Sequence, residues 1–131
     1  NGDNLYYAGV RVDGSAVKKK KKNGVYYTMS QIENVYTGNY HRTLKPNLLP
    51  KDKWIGLRSE TINKPNNSVE IRLYIDKGWR GNWELLTSVV DDGIKYGGQA
   101  LTGNGYAGIR TDFMDVEFEN YRSTDISSFT L

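Results

Sequence analysis

The 131-residue chain has no cysteine, one histidine and three prolines. The missing cysteine excludes disulfides, thiol catalysis and thiolate metal sites. The lone histidine, His41, has neither a nucleophile nor an orienting carboxylate beside it in the sequence, so it reads as a surface or hydrogen-bonded side chain rather than a general base. Long apolar runs are missing too. The longest span four or five residues, far short of the roughly 20 that a membrane-spanning helix needs. An excess of positive charge is absent from most of the chain. Lys plus Arg is 18 and Asp plus Glu is 15, a net of +3. Five of those cations are consecutive, Lys18 to Lys22, and without them the balance is 13 against 15, or −2. That argues against a general nucleic-acid binder, whose basic residues spread along a face or groove.

What is present is aromatic and punctuated by glycine. Ten tyrosines, three tryptophans and three phenylalanines accompany 14 glycines, unlike the composition of disordered chains. One domain is the natural count for this length, and a chain of this size buries about two-thirds of its unfolded surface. No amphipathic helix is evident. Apolar residues recur at spacing two, and Gly, Asn, Asp and Pro interrupt every 8 to 12 residues or so, which predicts an all-β sandwich or barrel. Strands are predicted over 5–12, 16–22, 25–32, 53–62, 68–76, 83–90, 106–110 and 114–122. Residues 37–52 and 93–105 read as loops. In 68–76, Val69, Ile71, Leu73 and Ile75 share one face, and Glu70, Arg72, Tyr74 and Asp76 share the other. Met114, Val116 and Phe118 point inward on the last strand.

The lysine run lies in the first hairpin. Asn23-Gly24 is a strong two-residue turn signal because both positions take positive φ. It predicts the pairs Lys22–Val25, Lys21–Tyr26, Lys20–Tyr27, Lys19–Thr28 and Lys18–Met29. Lys18, Lys20 and Lys22 then share one face, and Lys19 and Lys21 the other. Burying unpaired ammonium groups costs several kcal/mol each. The hairpin is therefore expected to be solvated on both sides near its tip, or to let three lysines snorkel. Lys18, Lys19, Lys20, Lys21 and Lys22 would form a cationic ridge for an anionic partner, or simply keep a projecting hairpin soluble.

Three segments carry a resemblance: Lys53-Trp-Ile-Gly-Leu-Arg-Ser-Glu60; Val69-Glu-Ile-Arg-Leu-Tyr-Ile-Asp76 with Trp83 after it; and Gly105-Tyr-Ala-Gly-Ile-Arg-Thr-Asp-Phe-Met-Asp-Val-Glu-Phe-Glu-Asn-Tyr121. In order and pattern they resemble the C-terminal strands of the concanavalin A-like lectin/glucanase superfamily. The resemblance implies an antiparallel jelly-roll β-sandwich and a role in carbohydrate recognition or cleavage, in an extracellular or cell-surface setting. Full domains of this kind run longer, which implies an N-terminal part outside this sequence and an open sheet edge for that segment or a neighbouring subunit.

Several groups of residues are candidates for function. Asp115, Glu117 and Glu119 alternate on one strand at a spacing of about 6.6–7 Å, within the range that glycoside hydrolysis uses. Their Asp-x-Glu-x-Glu pattern departs from the Glu-x-Asp-x-x-Glu of the jelly-roll glucanases, and a solvated outer face is the plainer reading. Arg58, Glu60, Glu70, Arg72 and Tyr74 fall on two sequential strands and would share a polar sheet face, either as a cross-strand charge ladder or as the floor of a saccharide groove. Trp79, in the Lys-Gly-Trp-Arg-Gly loop, is placed to stack on a sugar, whereas Trp54 and Trp83 fall within predicted strands and read as core. Asp91, Asp92, Asp112 and Asp115 offer oxygen ligands for a structural calcium, although no ligand loop of recognisable spacing surrounds them.

The sequence thus predicts a single β-sandwich domain over residues 1–131, incomplete at its N-terminus, that recognises a polysaccharide, neutral or acidic, without cleaving it. The alternatives are a glycan-cleaving enzyme or a fragment of one, and an assembly subunit that pairs through an open sheet edge.

Overall fold

The computed structural model describes residues 3–103 and residue 108. Over these residues the chain is all-β, with two antiparallel three-stranded sheets and one short 3₁₀ turn. The first sheet holds β1 (Leu5–Val10), β2 (Ala16–Lys22) and β3 (Val25–Ile32), in that order. The second holds β4 (Gly56–Lys64), β5 (Ser68–Asp76) and β6 (Glu84–Asp91), also in sequence order. Each connection within a sheet is a local antiparallel turn, the cheapest closure for a chain so rich in Gly and Asn turn signals. The predicted strands at 106–110 and 114–122 lie outside the described residues.

The sheets pack through the alternation seen in β5. Val69, Ile71, Leu73 and Ile75 are at most 2% exposed, and burying four such side chains stabilises the fold by about 6–12 kcal/mol before entropy is counted. At one end, Leu73 and Ile75 meet Ala16 and Val35, with Val10, Ile32 and Ile55 around them. At the other, Val69 and Ile71 meet Met29 and Ala100, flanked by Tyr6, Val89 and Tyr96. The ends of the molecule are thus distinct. The Ile75 end holds the β1–β2 turn, and the Val69 end holds the tip of the β2–β3 hairpin.

Two local features set this geometry. Gly14 takes φ +86°, and a Cβ there would lie 2.0 Å from the Tyr36 carbonyl oxygen. Only glycine lets the segment after β3 cross so closely over the β1–β2 turn, where the Tyr36 N–H donates to the Gly14 oxygen at 3.1 Å. In the hairpin, the predicted register holds from Lys22–Val25 to Lys19–Thr28. A bulge at Met29 then places Lys18 opposite Ser30.

The first sheet covers β5 and β6 but not β4. Leu57, Ser59 and Thr61 stand beside Ile75, Leu73 and Ile71 in register, on the same face, yet all three are exposed, Leu57 by 47%.

Candidate functional site

The residues with a shape suited to a ligand gather where β4 begins and β5 ends. β4 starts at Gly56, three residues later than the alternation suggested, and β6 starts at Glu84. Trp54 and Trp83 therefore fall just outside their strands. They are 45% and 40% exposed, and Trp79 is 44% exposed. This corrects the expectation that Trp54 and Trp83 are core residues: Trp54 lies two residues and Trp83 one residue before its strand, both at exposed loop positions. Gly56 joins the group. A Cβ at Gly56 would lie 2.8 Å from the Trp83 ring and 3.0 Å from the Trp79 ring, so the missing side chain lets both indoles lie down on the sheet. Trp54 and Trp79, with Lys53, Lys77, Gly78 and Arg80, line an open pocket of about 360 Å³.

Asp76 builds the loop that presents Trp79. This carboxylate is 1% exposed. Its Oδ1 accepts the Arg80 N–H at 3.2 Å and its Oδ2 the Gly81 N–H at 2.7 Å. Between Asp76 and these two donors the chain turns so tightly that Trp79 adopts φ +52°. A bulky residue in the left-handed region is uncommon and costs of order 1–3 kcal/mol, a strain that tends to gather at functional sites.

From Gly56, the outer face of the second sheet runs on as a ladder of charge. Register places Arg58 beside Tyr74, Glu60 beside Arg72 and Ile62 beside Glu70. Arg58 donates to Glu60 at 2.5 Å and lies 5.6 Å from the Tyr74 ring centroid. Arg72 donates to Glu70 and stands 3.7 Å from Glu60, while Lys64 reaches Glu70 at 3.3 Å. The Arg72 guanidinium, then the Lys64 ammonium, hold the Glu70 carboxyl below its usual range despite some desolvation. The predicted residues Arg58, Glu60, Arg72 and Tyr74 are therefore brought to one face, and Trp79 closes one end of it. Glu60 and Glu70 are each 9% exposed, so the ladder's acids lie low and its arginines lie above them.

The lysine run is divided in a way the sequence did not suggest. Lys18 and Lys20 are fully buried and are not part of an exposed ridge. Lys20 is satisfied at every N–H. Its ammonium sits 2.7 Å from Asp91 Oδ2 and donates to the Gly98 and Gln99 carbonyls at 2.8 and 2.7 Å. The same Asp91 oxygen accepts the Tyr6 hydroxyl at 2.7 Å, and Tyr6 in turn accepts the Leu101 N–H at 2.9 Å. Burial and then the bond to Asp91 push the Tyr6 hydroxyl well above its ordinary pKa. Lys18 donates to the Ile71 carbonyl and, at 2.8 Å, to that of Thr87. Burial lowers its pKa to about 8, against an opposing pull from Glu70. The expected solvation of both hairpin faces thus holds only for Lys19, Lys21 and Lys22, which are half-buried. Lys19 and Lys21 flank the Tyr26 ring at 5.9 and 5.2 Å.

The remaining candidates are placed as follows. Asp91 is committed to Lys20 and Tyr6. Asp92 accepts the Ile94 and Lys95 N–H groups at 2.9 and 3.0 Å. Among the described residues no three His, Cys, Asp or Glu side chains converge on one point. Asp112, Asp115, Glu117 and Glu119 lie outside the described residues. The His41 Nδ1 accepts the Thr43 and Leu44 N–H groups at 3.1 and 3.0 Å, so the ring caps its own turn. No described helix is long and apolar enough to cross a membrane. No protein-family model, curated protein or solved structure matches this chain.

Proposed function

We propose that this chain is a non-catalytic carbohydrate-recognition domain, built as a jelly-roll sandwich of the concanavalin A-like kind and acting outside the cell or at its surface. One observation carries the reading. Trp54, Trp79 and Trp83 are each 40–45% exposed; Trp79 and Trp83 lie over Gly56 at the end of a polar sheet face, and Trp54 lines one pocket with Trp79. Large exposed aromatics grouped in this way mark binding surfaces. Indole plates suit the C–H face of a pyranose, and the ladder of Arg58, Tyr74 and Arg72 beside them offers donors to its hydroxyls. Recognition is carried by whole side chains held in place, with no step that breaks a bond.

Covering about 100 Å² of exposed indole is worth roughly 2.5 kcal/mol. Trp79→Ala is therefore expected to weaken binding by at least about tenfold, measured by affinity electrophoresis in gels carrying neutral and acidic polysaccharides. If no polysaccharide retards the native protein, the reading fails.

A second reading has its own observation. The inner side of β4, with Leu57 47% exposed beside Ser59 and Thr61, is a sheet surface and, among the described residues, an edge suited to strand addition. Light scattering separates the two readings: mass that grows with concentration supports assembly, and a monomer at every concentration removes it.

A further inference from the structure

The ligand of the tryptophan site can be narrowed by charge. The pocket is lined by Lys53, Trp54, Lys77, Gly78, Trp79 and Arg80, three cations and, among the described residues, no carboxylate. This is notable in a chain that is net −2 outside the Lys18–Lys22 run. The nearby acid Asp76 is turned inward, with both its oxygens taken by the Arg80 and Gly81 N–H groups. The cations divide by role. Lys77 is fixed, donating to the Val35 carbonyl at 2.5 Å and lying 4.8 Å from the Tyr36 ring centroid. Lys53 and Arg80 are exposed and make no ion pair among the described residues. Elsewhere on the same sheet face the pattern is the opposite: Arg58, Arg72 and Lys64 each contact Glu60 or Glu70. On this sheet face, among the described residues, the cations that make no ion pair are thus Lys53 and Arg80, beside the indole plates.

Resting on the carbohydrate reading above, we infer that this site selects an anionic glycan, its ring stacked on Trp79 and Trp54 and its acid group held by Arg80 and Lys53. A guanidinium presents paired donors that match a carboxylate or a sulfate, so polyuronates and sulfated polysaccharides share the required chemistry. The site is also well separated from the buried Lys20 of the lysine run. Lys20 contacts Asp91, Gly98 and Gln99 at the Val69 end, whereas the pocket lies at the Ile75 end, where Asp76 pairs with Gly56.

Affinity electrophoresis at low salt in polygalacturonate, dextran sulfate and a neutral β-glucan tests this. The expected result is retardation by polygalacturonate or dextran sulfate, at least tenfold stronger than by the neutral glucan. Retardation by one of the two alone identifies the acid group as carboxylate or sulfate. Lys53→Gln/Arg80→Gln, both at exposed positions, is expected to lower the anionic affinity at least tenfold, and Lys19→Gln/Lys21→Gln/Lys22→Gln to leave it within about twofold. Equal retardation by the neutral glucan overturns the inference and leaves the carbohydrate reading standing. Retardation abolished by the hairpin variant but not by the pocket variant overturns it as well, since general attraction to the lysines would then account for the binding. Absence of retardation in all three gels overturns both.

Discussion

Lys20→Met is expected to destabilise the protein by about 3–5 kcal/mol, because it strips the partner from a buried carboxylate. The Lys20 ammonium and the Asp91 carboxylate both have fully buried side chains. Methionine fills most of the lysine's volume, so packing changes little. Among the described residues Asp91 would keep the Tyr6 hydroxyl and the Gly93 N–H at 3.0 Å, and the Gly98 and Gln99 carbonyls would lose the Lys20 donor. The double variant Lys20→Met/Asp91→Leu is expected to recover most of the loss, since replacing both members of a buried ion pair by apolar groups is often neutral or better. Urea unfolding of the four members of this cycle measures the effect directly. A single-variant loss below about 0.5 kcal/mol would mean that Lys20 reaches solvent. As a reference, Lys22→Ser, at the half-buried end of the same run, should shift stability by no more than about 0.5 kcal/mol.

This lysine shows where the sequence is legible and where it is not. The Asn23-Gly24 turn and the spacing of the strand residues are local signals. They give the hairpin register from Lys22 to Lys19, the outward ladder of Arg58, Glu60, Arg72 and Tyr74, and the inward row from Val69 to Ile75. The fate of Lys20 depends on acceptors 78 and 79 residues away, in a glycine-rich stretch with no periodicity of its own. Gly97 and Gly98 take positive φ, and a Cβ at Gly97 would lie 2.4 Å from the Tyr27 ring. That loop therefore closes directly beneath the hairpin and brings its carbonyls to the ammonium. Charge alone predicted exposure, and only the tertiary placement of Asp91, Gly98 and Gln99 reverses it. The tryptophans mark a finer limit. Their clustering depends on where β4 and β6 begin, and strand ends are the least determined part of any alternating pattern.

Stability should also rise, not fall, as pH is raised from 8 to 10, by about 2 kcal/mol, and Lys18 is the cause. Burial depresses its folded pKa from 10.5 to about 8. Between those values the unfolded chain holds a proton on Lys18 that the folded chain does not. Stability therefore increases with pH across this interval. Below pH 8 the folded protein bears the full cost of a buried ammonium, about 3 kcal/mol for a shift of this size. Lys18 bears that cost because its contacts are carbonyls, of Ile71 and Thr87, and among the described residues no carboxylate meets it as Asp91 meets Lys20. The upper limit of the window is set by tyrosine. Burial and the Asp91 bond raise the pKa of Tyr6, and burial raises that of Tyr36. Their contributions are full well below pH 10 and begin to be lost as pH reaches 10, so they oppose the rise at the top of the window and above it. Lys18→Met should be as stable as the native protein or more so at pH 7, with no upward slope between pH 8 and 10. Urea midpoints at pH 7, 8, 9 and 10 for the two proteins decide it. A native profile that is flat or falling from 8 to 10, parallel to that of the variant, would place the Lys18 ammonium in water.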